Sequence, residues 1–204
     1  MASEADFQAL MRIMPPHAGA GDVVDWAAVE QGWGFQFPVD YKRFMEVYGG
    51  GAIDNYLATI SPEPFGLDAA FQGMISETRN ARANWDRRPG GQGVVTASSS
   101  LVVWGVDASA DLLCWVTDGA DPDRWPVMVW NQDDRQWTVF NCGMADFLLR
   151  MFRAEFDECP LGDLSLWGEA DPQFLHTNEE KRLRAAGLDP WTGEPDPFAD
   201  AEYN

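Results

Sequence analysis

At 204 residues, with 46% apolar and 13% aromatic residues and ten tryptophans, the chain can bury one sizeable core, which excludes the disordered class for most of its length. Its 33 acidic against 14 basic residues give a formal net charge of −19. With no Lys/Arg cluster to release counterions, nucleic acid and anionic membrane surfaces are excluded as partners; a basic protein is the plausible one, and the competing reading is that the acidity only keeps the protein soluble.

The N-terminus, Met1-Ala2-Ser3-Glu4-Ala5-Asp6, lacks the basic start and apolar run of a signal peptide, so a cytoplasmic location is expected. Apolar stretches such as Leu101-Val102-Val103-Trp104 are strand-sized, whereas a bilayer span needs about 20 apolar residues, so no membrane segment is expected. Ser3 to Met14 reads as a first helix, with Phe7, Leu10, Met11 and Met14 at helical spacing, stopped by Pro15 and Pro16. Asp25 or Asp22 can cap a short second helix carrying Trp26, Val29 and Glu30.

The best-marked helix begins at Pro38, whose fixed φ suits a first helical position. Tyr41, Phe44, Met45 and Tyr48 form one apolar stripe, and Gly49-Gly50-Gly51 ends the helix. Ala52 to Ile60 is expected as a single strand, closed by Pro62 and Pro64. Asp68 to Asp86 reads as a longer helix with Phe71, Met74, Ile75, Thr78, Ala81 and Trp85 inward, followed by the glycine-rich Pro89 to Gly93.

From there the period becomes alternating. Strands are expected at Val94–Ala97, Leu101–Val106, Leu112–Thr117, Val127–Asn131 and Trp137–Asn141, joined by turns too short for parallel crossovers. Asp133-Asp134-Arg135 is a hairpin turn, and a closing helix runs from about Met144 to Phe156. Helices, a meander and a closing helix give an α+β fold. The expected architecture is a mixed or antiparallel sheet of about five to six strands with helices on one face, over residues 1–156. Residues 157–204 carry twelve acidic and three basic residues and five scattered prolines, which marks a tail or loosely docked extension. Within it Thr177-Asn178-Glu179-Glu180 has the form of a capping box for a short helix ending at Gly187.

These residues resemble the SMI1/KNR4 group, the SUKH superfamily. Gly34-Phe35-Gln36-Phe37-Pro38-Val39-Asp40-Tyr41 and Tyr48-Gly49-Gly50-Gly51 are similar to its lead into the main helix and that helix's end, with Tyr48 where an asparagine is common. Trp104-Gly105-Val106-Asp107, Ser109-Ala110-Asp111, Leu113-Cys114-Trp115, Val129-Trp130-Asn131 and Met144-Ala145-Asp146-Phe147-Leu148 resemble its later elements in the same order, with Ala110 replacing an expected turn glycine. The resemblance covers roughly Trp26 to Phe156. It implies the SUKH-like fold and a binding protein without catalytic activity or cofactor. Bacterial members are mostly immunity proteins that neutralise a toxin domain, often a nuclease; fungal members resemble regulatory scaffolds, so an adaptor or small-ligand-binding role is the alternative.

As a surface for a basic toxin, Asp107, Asp111, Asp118, Asp121 and Asp123 gather on two turns flanking the Leu112–Thr117 strand, with Trp125 beside them and Asp133 and Asp134 one hairpin later. The competing reading is ordinary turn chemistry, since Asp bends and caps the backbone. Most of Trp104, Trp115, Trp125, Trp130 and Trp137 are expected in the core, with one or two as partner anchors. Asp118 to Asp123 lacks EF-hand spacing. Cys114, Cys142 and Cys159 suit neither a disulfide framework nor a zinc site. His17 and His176 read as surface residues, and no phosphate loop or metal-binding His motif is present.

Overall fold

The structure is a computed structural model, and it describes residues 4–62, 73–88 and 96–197. Helix α1 (Glu4–Ile13) buries Phe7 and Leu10 and ends at the proline pair. Helix α2 (Trp26–Trp33) is capped by Asp25, which accepts from the Ala28 N–H at 3.1 Å, and closes on Gly34 in the left-handed conformation. Helix α3 (Val39–Val47) takes Pro38 as its N-cap, one residue earlier than the first helical position. All four stripe residues, Tyr41, Phe44, Met45 and Tyr48, are fully buried, each contributing roughly 1.5–3 kcal/mol by its apolar burial.

The segment expected as one strand over Ala52–Ile60 is instead a hairpin of β1 (Gly51–Ile53) and β2 (Leu57–Thr59). Asp54 and Asn55 have φ of 49° and 55°, and the Tyr56 N–H closes the turn on the Ile53 carbonyl. Two consecutive left-handed residues match the right-handed twist of paired strands, and Asp and Asn tolerate that conformation best after glycine. Helix α4 is described over Met74–Arg87; its expected start at Asp68 and Phe71, the Pro89–Gly93 stretch and the first half of the expected Val94–Ala97 strand lie outside the described residues, and Thr96 and Ala97 are not in a strand. Strands β3 (Leu101–Asp107), β4 (Leu112–Val116), β5 (Val127–Asn131) and β6 (Gln136–Phe140) form the expected meander. Helix α5 runs over Met144–Phe152, shorter than expected; Phe156 lies beyond it and packs on Phe140 and Phe147 at 4.8 and 5.4 Å.

Strand β7 (Phe174–His176) comes from the acidic extension and pairs with β1, and helix α6 (Thr177–Ala185) follows it. Among the described residues the sheet is wholly antiparallel in the order β6-β5-β4-β3-β2-β1-β7, with seven strands rather than five to six. The strands not in the expected set come from the hairpin split and the extension. The α+β class holds, but helices cover both faces of the sheet. On one face Tyr41 of α3 meets Trp115 at 4.8 Å and Phe147 of α5 meets Trp104 at 6.1 Å. On the other, Trp85 of α4 meets Trp137 at 5.5 Å, and Trp137 pairs across the sheet with Trp130. The register of β3 slips between Val103 and Gly105, and the Val103 N–H is taken by Thr78 Oγ1 of α4 at 3.0 Å. Burial on both faces explains why β4 reads as an unbroken apolar run. Among the described residues no helix is long and apolar enough to cross a membrane.

Candidate functional site

The antiparallel meander divides the expected acidic surface in two. Alternate turns lie at opposite ends of the strands, so the β3–β4 and β5–β6 turns share one end and the β4–β5 connection lies at the other, about 15 Å away along β5. Asp107, Asp111, Asp133 and Asp134 therefore belong to one end, and Asp118, Asp121, Asp123 and Trp125 to the other.

At the first end Asp107 and Asp111 are architectural. Asp107 Oδ1 accepts the Ser109 and Asp111 N–H groups at 2.9 and 2.8 Å, while its Oδ2 is buried without a hydrogen-bond partner. Burial, helped by the neighbouring Asp111 charge, pushes its carboxyl up to about 6. Asp111 is fully buried and joins three segments: Oδ1 accepts from the Gln132 N–H at 2.7 Å and Oδ2 from the Gly162 N–H at 2.6 Å. Ala110, where a glycine was expected, holds φ of 65°, so the turn is as tight as a glycine would make it, at the strain cost of a side chain. Only Asp133 and Asp134 point their carboxylates to solvent here.

At the second end Asp123 Oδ1 accepts the Val39 N–H at 2.7 Å and caps α3 from another element; Asp121 accepts the Asp123 N–H, and Asp118 bonds Thr96. Asp40 in turn accepts the Ala145 N–H in the first turn of α5. Trp125 is buried, with its indole N–H on the Gly119 carbonyl and its ring against Phe35. All five sheet tryptophans, Trp104, Trp115, Trp125, Trp130 and Trp137, are at most 4% exposed, which leaves none as a surface anchor. Structural roles thus take Asp107, Asp111, Asp123 and Trp125, while Asp118, Asp121, Asp133 and Asp134 remain as exposed acids.

The cluster that sequence reasoning missed is around His176. This residue is 4% exposed, contrary to the surface reading, and its Nε2 lies 3.0 Å from Asp22 Oδ1. Asp22 Oδ2 also accepts the Gly50 N–H and the Ser61 hydroxyl, both at 2.8 Å. Burial acts to raise the Asp22 carboxyl, but these bonds and His176 outweigh it and hold it below the usual carboxylate range. Serine, aspartate and histidine are all present, yet the wiring is not that of a nucleophile. Ser61 donates to Asp22, and His176 Nδ1 accepts the Asn178 N–H at 3.0 Å. The imidazole has no free nitrogen with which to take a proton from the serine. The signal was available in Gly49-Gly50-Gly51. A side chain on Gly49 would lie 2.6 Å from the His176 ring, and side chains on Gly50 and Gly51 would collide with Ser61 and the Leu175 carbonyl.

The cysteines are free; burial pushes the Cys142 thiol up to about 12 and raises those of Cys114 and Cys159. Among the described residues no group of three or more His, Cys, Asp or Glu could hold a metal ion. No curated protein and no solved structure matches the chain. The family model SUKH_6, described as SMI1-KNR4 cell-wall, matches residues 24–148, from just before α2 to the middle of α5. With more than half its length matched, and with the helix-then-meander order seen in the structure, the chain belongs to the SMI1-KNR4 (SUKH) family.

Proposed function

We propose that this protein is a non-enzymatic, cytoplasmic immunity-type protein that binds and neutralises a basic toxin domain such as a nuclease. The observation that carries the reading is uncompensated negative charge on a member of this family. Of the 14 basic side chains, Lys42, Arg43, Arg153, Arg182 and Arg184 are already paired with glutamates. Asp118, Asp121, Asp133 and Asp134 are exposed and form no ion pair among the described residues. Such a surface steers a lysine- and arginine-rich partner toward it and raises the association rate. The wiring of Ser61, Asp22 and His176 supports the non-enzymatic part.

The test is co-expression with a toxin domain encoded beside this gene. Rescue of growth and a stable complex are expected; unprotected cells and no complex would sink the reading for that toxin. Because the exposed acids sit at two ends, Asp118→Asn with Asp121→Asn and Asp133→Asn with Asp134→Asn should be compared. The pair at the contact end should slow association about 3- to 10-fold and flatten its salt dependence, while the other pair leaves both unchanged.

A further inference from the structure

The two histidines of the chain, 159 positions apart, meet at the junction between the extension and the sheet. The His176 backbone N–H donates to His17 Nε2 at 3.1 Å, and the Asn178 N–H donates to His176 Nδ1 at 3.0 Å. Each of these nitrogens is an acceptor and must carry no proton. The remaining proton of each ring is then fixed: His17 Nδ1–H donates to the Ala18 carbonyl and His176 Nε2–H to Asp22, both at 3.0 Å. His176 is at once the last residue of β7, the partner of Gly51 in the ladder and the N-cap of α6. Thr177, expected to be that cap, is the first helical residue and donates its N–H to the Gly50 carbonyl. Helix α6 buries none of its nine residues, so a helix this short depends on its cap and its attachment.

We propose that His17 and His176 form an acid-released latch: the extension's β7 and α6 stay on the β1 edge while both rings are neutral, and protonation frees them. A second proton on His17 would set an N–H against the His176 N–H. On His176 it would have to enter at Nδ1, against the Asn178 N–H and at the positive end of the α6 dipole. Among the described residues the ionisable groups around the pair are Asp22 from the α1–α2 connection, Glu179 of α6 with Arg182, which is bound to it, and Lys181, which lines the same cleft as His176. Asp22 meets His176 through Nε2, already a donor in the neutral ring, so its pull does not restore the lost cap. Glu179 lies near His17, and Arg182 holds both of its carboxylate oxygens. The latch is independent of the toxin-binding reading, since none of its residues belongs to the exposed acids of the meander.

Amide hydrogen exchange followed by NMR on the full chain tests it, at about pH 7.5 and about pH 5, across the range in which imidazoles change charge. Corrected for the intrinsic rate, protection of residues 174–183 and of the β1 amides should fall about tenfold or more, while α5 stays within about twofold. His17→Gln and His176→Asn keep an acceptor without a titrating proton and should blunt the fall. With only two histidines, both imidazole titrations can be followed in the same samples. Protection that survives after both rings have titrated overturns the latch, as does an equal loss in both variants.

Discussion

Asp107 holds one carboxylate oxygen in two backbone hydrogen bonds and leaves the other buried and unpartnered. Its folded value of about 6 lies above the ordinary 3.8. The folded chain therefore binds this proton more tightly than the unfolded chain, and stability falls as pH rises between those two values, by about 2–3 kcal/mol in all. Asp107→Asn keeps the accepting Oδ1 and removes the charge. It should raise stability by about 1–2 kcal/mol at about pH 7.5, with the gain shrinking toward about pH 4. Denaturant melts of both proteins across that range check it, and a pH-independent difference would refute the assignment. A sequence displays Asp107, Asp111, Asp133 and Asp134 as equivalent acids near turns. Asp107 takes its amides locally, from Ser109 and Asp111, whereas those that bury Asp111 come from Gln132 and Gly162, which are remote from it in sequence.

Some elements here begin on contacts from other elements. Helix α2 has a local cap, Asp25, and is legible in sequence; α3 is capped by Asp123 and α5 receives Asp40, so those partners are not. Asp123→Ala should cost about 0.5–2 kcal/mol by releasing the first N–H of α3. Asp118→Asn, Asp133→Asn and Asp134→Asn should stay within about 0.5 kcal/mol of the parent. Thermal melts of the four variants separate the helix-capping acid from the exposed ones, and equal effects would contradict the geometry. The β1–β2 hairpin was hidden for a related reason. Its turn uses Asp54-Asn55 without glycine, inside a run apolar enough to pass for one strand.

At the scale of the whole molecule, the acidic extension is stitched to the sheet at several points. Asp54 exchanges two hydrogen bonds with Gln173, Phe174 packs on Phe44 and Tyr48 at 5.8 and 5.2 Å, and Leu161 and Leu166 are buried. Ending the chain at Phe156 removes three buried apolar side chains, worth at least about 4 kcal/mol, and leaves β1 as an unpaired edge. The shortened protein should melt well below the full chain and elute partly as aggregate in size-exclusion chromatography. A monomer with an unchanged melting temperature would show that the extension contributes nothing to the fold. The same stitching places part of the net −9 of residues 157–204 beside the β3–β4 turn, where Gly162 meets Asp111.

The sequence by itself determined the periodic parts of this protein. The α3 stripe, the four central strands, the closing helix and the α+β class are written in local spacing, because 3.6-residue and two-residue periods are properties of neighbouring residues. The tertiary structure alone decided which turn acids are held by distant amides. The division of the acidic turns between two ends, the use of both sheet faces and the meeting of His17 with His176 arise from contacts between residues far apart in the chain. Composition likewise gave the extension only its charge; its place as the seventh strand depends on Gly51 leaving room for the Leu175 carbonyl.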